Sequence, residues 1–251
     1  MKIEVAKKQA QADGAFNGGE ILEKRPVLMS DNGNEFKPYS NLFYWAHAWT
    51  EAGSTIGEHP HQGFEILSFV LEGSIEHYDS AHQGWKKLDT GDVQIIRSGS
   101  GISHAEKLNA GAHMFQIWFD PDIRQAIGRP ASYNDYKSEM FPVKDQNGIR
   151  TVTYAGNNAP VEMNSRNVVI QRLEIPEGDH QINVDSASVI SVFLINGRIL
   201  IEENEMNSGD FARISDTEVV RLRSFGDSEV FMIQSPADPG HATYAQMLMN
   251  R

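Results

Sequence analysis

His59-Pro60-His61-Gln62-Gly63-Phe64-Glu65 and Gly99-Ser100-Gly101-Ile102-Ser103-His104-Ala105-Glu106 are the two stretches on which the reading of this chain turns. Each carries a pair of metal-capable side chains at i and i+2, His59 with His61 and His104 with Glu106. Strand side chains alternate with period two, so each pair faces one way and two such strands can aim four ligands at one point. A lone H-x-H would be read as exposed or core-satisfied histidines on a strand. A second pair behind a Gly-rich turn moves the reading to a metal site built from His59, His61, His104 and Glu106. Neutral imidazole suits borderline divalent metals, a carboxylate favours iron or manganese, and such a set with open coordination positions suits oxygen activation.

The sequence between the pairs is of the kind that brings them together. Ile66 to Val70 is rich in β-formers, Glu72-Gly73 and Asp79 to Gly84 read as turns, and Val93 to Ile96 is a second apolar run after Gly91-Asp92. This pattern predicts an antiparallel meander. Glu65 shares strand parity with His59 and His61. On an unbroken strand it would face the same way, either as a rival ligand or as a hydrogen-bonded partner behind the ligands.

A chain of 251 residues is comfortable for two domains of about 120 residues, each able to bury a core. The net charge of −12 opposes phosphate backbones and anionic membrane surfaces, which argues against direct nucleic-acid binding and membrane association. Cysteine is absent, so disulfides and thiolate metal sites are excluded and a reducing compartment suits the chain. Met1 to Lys8 lacks the apolar core of a signal peptide and no run approaches a membrane span, so the expected location is cytoplasmic.

In chain order, Asp13 to Gly19 is turn-rich, Asp31-Asn32-Gly33-Asn34 is a hairpin-type turn, and Leu42 to Trp49 is a dense aromatic strand expected to fill a core or wall a pocket. His47, His77, His82 and His113 lack paired spacing and are set aside as ligands. Met114, Gln116 and Trp118 share one strand face, where they either pack or line a cavity. Pro121 to Ile127 predicts a short helix ended by Gly128-Arg129-Pro130. This region is the expected domain connection, with Tyr133 and Tyr136 anchoring it.

The second half echoes the first. Phe193 to Ile199 followed by Asn207-Ser208-Gly209-Asp210-Phe211 repeats the plan of Phe69 to Ile75 followed by Asp89-Thr90-Gly91-Asp92-Val93, which predicts two copies of one fold. The second copy has no H-x-H, and His180 and His241 stand alone. It reads as a domain without metal, closed by a short helix over Thr243 to Asn250.

Gly53, His59-Pro60-His61, Glu65, Gly73, Gly91-Asp92 and Gly101-Ile102-Ser103-His104 resemble the paired motifs of the cupin superfamily. Within it, HPHQGFE (59–65), LEGSIEHYDS (71–80), GDVQ (91–94), GSGISHAE (99–106) and Phe115-Gln116-Ile117-Trp118 resemble the pirin family, including bacterial pirin-like proteins with quercetinase activity. The resemblance implies an all-β bicupin. Its two antiparallel β-barrels of jelly-roll-like, double-stranded β-helix form would pack together with few short helices. Residues 1–130 would form the metal-bearing domain and 131–251 the domain lacking ligands. It places the ligands at His59, His61, His104 and Glu106, with iron(II) ahead of manganese, nickel, cobalt, copper or zinc. Gln62 and Ser100 stand where many pirins carry arginine, and Ile66 replaces a common threonine, departures that bear on substrate more than on metal.

The reaction implied is cleavage of a flavonol by O2 with release of carbon monoxide, Glu106 taking the proton of the substrate 3-hydroxyl. The expected partners are then a flavonol-like small molecule and O2. Pirins also include regulatory proteins that bind partner proteins and use the metal structurally or as a redox-responsive element, and that is the alternative. A sugar or small-acid isomerase is a third reading, because a fold does not decide chemistry.

Overall fold

The computed structural model of the chain describes residues 1–29, 36–80 and 84–250. The turn expected at Asp31 to Asn34 and the histidine at position 82 lie outside the described residues. The strands are β1 (Lys2–Ala6), β2 (Ala12–Phe16), β3 (Ile21–Val27), β4 (Leu42–Trp49), β5 (Ser54–His61), β6 (Glu65–Glu72), β7 (Ser74–Asp79), β8 (Trp85–Asp89), β9 (Val93–Arg97), β10 (Ile102–Leu108) and β11 (His113–Phe119). After helix α1 (Ile123–Ala126) follow β12 (Ser132–Tyr136), β13 (Val143–Gln146), β14 (Ile149–Ala155), β15 (Val169–Ile175), β16 (Gly178–Asn183) and β17 (Ser188–Asn196). The last elements are β18 (Arg198–Ile201), β19 (Asn204–Asn207), β20 (Phe211–Ser215), β21 (Val219–Ser224), β22 (Ser228–Pro236) and helix α2 (Tyr244–Met249). All pairings between these strands are antiparallel.

The chain folds into two compact units. The site-bearing unit comprises Ala12–Met140, Met163–Ser165 and His241–Arg251, and the second unit comprises Met1–Gln11, Phe141–Glu162 and Arg166–Gly240. In the site-bearing unit a seven-stranded sheet, β12-β9-β6-β11-β4-β3-β2, accompanies a four-stranded sheet, β5-β10-β7-β8. Buried Ile21, Ala48, Val70 and Met114 of the larger sheet pack with Ile75, Leu88 and Leu108 of the smaller one. That cluster fixes the spacing of the two inner faces. β6 is a near-continuous apolar run because both of its faces are buried, whereas β16 alternates half-buried and exposed positions as a one-sided strand should.

The second unit has the sheets β1-β20-β17-β22-β15-β14-β13 and β16-β21-β18-β19. Strand for strand these are the same orders, so the echo read in the sequence is a repeat of topology. One substitution of position breaks the chain order. The edge strand supplied by β12 in the site-bearing unit is supplied in the second unit by β1, from the start of the chain.

The anchoring is repeated too. Asp92 accepts from the backbone N–H of Ser138 at 2.9 Å and from Lys137 Nζ at 2.6 Å. Asp210 accepts from the backbone N–H of Lys8 at 2.8 Å and from Lys7 Nζ at 3.1 Å. The division at residues 130/131 expected from the sequence therefore differs from the one observed. Residues 132–136 pair with β9 and stay with the first unit, residues 1–11 join the second, and residues 241–251 return to the first. Tyr136 is buried, as an anchor should be. α2 forms where expected, and Thr243 and Gln246 close a capping box at its start.

Candidate metal centre

β5 and β10 lie side by side, with His61 opposite Ile102 and His59 opposite His104. Beyond that pair the register shifts, Glu106 facing Ile56. The extra residue on β5 makes a bulge, a device that twists a strand and re-aims its side chains. β5 ends at His61 and β6 begins at Glu65, with Gly63 at φ 83° in the turn between them.

The three imidazoles converge. One nitrogen from each of His59, His61 and His104 lies within 4.8 Å of the other two. Nε2 of His59 and Nε2 of His104 are 3.0 Å apart, and His59 Nδ1 donates to the carbonyl of Gly57 at 2.8 Å. That bond to a backbone carbonyl leaves the Nε2 lone pair free to point into the gap. Among the described residues, Nε2 of His61 and Nδ1 of His104 are buried without a hydrogen-bond partner. Burial lowers His61 to about 3, helped by the His104 and His59 rings and opposed by Glu106. Burial likewise lowers His104 to about 3, aided by His59 and His77 and opposed by Asp79. Both rings are therefore neutral lone-pair donors at physiological pH. A divalent cation fits this set: three imidazoles, two of them with an orphaned buried nitrogen, and a carboxylate two residues along the same strand as His104.

Glu106 is buried beside the triad, but its carboxylate is outside the group of mutually close ligand atoms. It accepts from Gln116 Nε2 at 2.6 Å and from Ser68 Oγ at 3.3 Å. Across the strand pair it faces His77, which is buried with its ring centroid 5.4 Å from that of His104. Buried Glu23 adds a second carboxylate to this interior, with Tyr44 donating to it at 3.4 Å. Burial raises Glu23, and the charge of Glu106 pushes it the same way.

Beside His61 stands an aromatic wall. The Trp118 ring meets His61 edge to face at 4.8 Å, and Phe64 stacks on Phe43 at 4.5 Å. Tyr44 lies 5.0 Å from Trp118, and Tyr244 of the returning tail lies 5.6 Å from Phe64.

Glu65 is not part of this group. Its carboxylate accepts the backbone N–H groups of Asn164 at 2.6 Å and Ser165 at 2.8 Å, and Arg97 Nε lies 4.0 Å away. The parity argument for Glu65 assumed an unbroken strand, and the turn at Gly63 breaks it. His47 and His113 pair with each other at 3.3 Å, apart from the triad. His241, alone in the sequence, accepts from the backbone N–H of Asp122 at 3.1 Å. His77, Ser68 and Glu23 were missed as neighbours of the site. The usable signal was the alternation Ile75, His77, Asp79, which puts His77 on the inner face with two buried residues.

The two units can be compared residue by residue through their registers. His59 faces His104 where Ile182 faces Val220, and Glu106 faces His77 where Leu222 faces Ile201. Ser68 faces Gln116 where Val192 faces Met232. His61, which follows His59 by two, corresponds to Val184. All seven replacements belong to, or pack against, the aliphatic core of the second unit. The repeat shows what fills these positions when the interior serves packing alone. The polar set of the first unit costs desolvation that an aliphatic set does not.

Two antiparallel β units of one topology share a single chain, one of them carrying a histidine triad suited to a divalent metal. Residues 22–119, the stretch that holds the site, match the Pirin family profile. The chain is 27% identical over 190 residues to the quercetin 2,3-dioxygenase of Escherichia coli strain K12, a match covering 74% of this chain and 78% of that one. It is 24% identical over 246 residues to a pirin-like protein of Caulobacter vibrioides, covering 92% of this chain and 85% of the relative. The crystal structure of the bacterial pirin YhhW from Escherichia coli in complex with nickel(II) aligns with a TM-score of 0.76 at 23% identity. That alignment covers 94% of this chain and 99% of the other, and it speaks for the fold.

Proposed function

We propose that this protein is a metal-dependent dioxygenase of the quercetinase type, cleaving a flavonol or related enolisable compound with O2. The observation that carries the reading is the polar set His59, His61, His104 and Glu106 standing where the second unit has Ile182, Val184, Val220 and Leu222. The three imidazoles would hold the cation, with Glu106 as the acidic member of the site and iron(II) the first candidate. A divalent transition metal there supplies Lewis acidity towards an enolisable oxygen and one-electron chemistry towards O2.

The remaining work falls to the chain. The Glu106 carboxylate, fixed by Gln116 and Ser68, accepts the proton of the substrate hydroxyl. Phe43, Tyr44, Phe64 and Trp118 are half-buried, so they offer ring surface against which a flat polyphenol can stack. Buried neighbours on the Glu106 side keep water from the carboxylate while the partly exposed His59 and His61 face the entry. A relative named as a quercetin 2,3-dioxygenase supports the substrate class. Among the described residues no helix is long and apolar enough to cross a membrane.

The test is oxygen uptake and carbon monoxide release with quercetin by protein loaded separately with iron(II), manganese, nickel, cobalt and copper. At least one loaded form should consume O2, and His61→Ala should lower uptake by more than about 100-fold, since it removes a metal ligand. Equal uptake by that variant, or none by any loaded form, would overturn the reading.

A further inference from the structure

Gln116 lies on β11, opposite Ser68 on β6, at the middle of the inner face beneath the site. Its amide nitrogen donates to Glu106 Oε2 at 2.6 Å, and its amide oxygen accepts from Trp118 Nε1 at 3.2 Å. An ionised carboxylate only accepts hydrogen bonds and an indole N–H only donates, so the link between them must do both, in that order. A carboxamide of this length does. Glutamate would set acceptor against acceptor, and the methionine found at the corresponding place in the second unit, Met232, could make neither bond strongly.

We propose that Gln116 is the positioning residue of the site: it fixes the Glu106 carboxylate relative to the three imidazoles and ties that orientation to the aromatic wall through Trp118. Three observations converge on this role. The Gln116–Glu106 bond is short for an N–H···O contact, as charge-assisted bonds are. Ser68 holds the other carboxylate oxygen, so both oxygens are committed. Ser68, Gln116 and Glu106 are replaced together, by Val192, Met232 and Leu222, in the unit that lacks the triad. The inference about catalysis rests on the dioxygenase reading; the inference about metal binding does not.

The experiment is a double-mutant cycle on the full chain, Gln116→Met and Glu106→Ala, read by cobalt(II) affinity and by the visible spectrum of the bound cobalt. In the wild-type background Gln116→Met should weaken cobalt binding about 10–100-fold and alter the spectrum, as loss of a residue supporting a ligand does. In the Glu106→Ala background it should change neither, because it acts through Glu106. With quercetin, Gln116→Met should lower kcat and leave KM nearly unchanged. Ser68→Ala, which leaves the ring wall intact, should shift cobalt affinity the same way by less, and it carries the cycle if Gln116→Met does not fold. No change in cobalt affinity, or the same change with and without Glu106, would overturn the proposal. If no loaded wild-type protein consumes O2 the dioxygenase reading fails, while the cobalt cycle still decides the role of Gln116.

Discussion

At the scale of residues, His61 and His104 show the cost of building a site inside a small β fold. Both are lowered to about 3 in the folded protein, whereas a free imidazole titrates near about 6.5. As pH falls below that value the unfolded chain takes up protons at these two positions and the folded chain does not. The unfolded state then binds more protons, so acid favours it: stability is full above about 6.5 and is lost as pH falls towards 3. The denaturant midpoint of metal-free protein should accordingly be lower at pH 5 than at pH 7.5, and His61→Ala should flatten the dependence. A midpoint equal at the two pH values would contradict the assignment of these rings as buried and neutral.

At the scale of elements, the decisive feature is where β5 stops. The i and i+2 spacing put His59 and His61 on one face, because it depends only on strand periodicity within β5; the pairing of β5 with β10 then brings His104 to them. The spacing failed for Glu65, since the turn through Gly63 resets the side-chain direction before β6 begins. It also could not show that the Glu106 carboxylate is held by Gln116 and Ser68, which come from β11 and β6 and meet it only after the two sheets pack. Glu65 is instead a clamp on the segment Met163–Ser165. Glu65→Ala would strand the Asn164 and Ser165 N–H groups and should destabilise the protein by about 2–4 kcal/mol, with cobalt affinity unchanged. Thermal unfolding together with a cobalt titration checks this, and a large loss of affinity would return Glu65 to the metal site.

At the scale of the molecule, the two units run one topology with two interiors. The repeat was legible in the sequence because alternation and the Gly-Asp turns at Gly91-Asp92 and Gly209-Asp210 recur in both halves; the meander expected between the two ligand pairs does not form, because β5 and β7 lie in one sheet and β6, between them in sequence, lies in the other. The edge exchange was not: nothing in Lys2–Ala6 says that it will pair with β20, more than two hundred residues away, rather than with its neighbours in sequence. A long-range pairing of this kind is specified by the edge left open by β20 and by the Asp210 anchor, which exist only once the second unit has formed.

The contrast between the interiors makes the central claim testable at a single point. Crystals of cobalt-loaded protein should give one anomalous difference peak per chain, about 2.0–2.2 Å from a nitrogen of each of His59, His61 and His104, and none near Ile182, Val184 and Val220. Cobalt-loaded crystals with no peak at the triad, or with the metal bound elsewhere on the chain, would contradict the account.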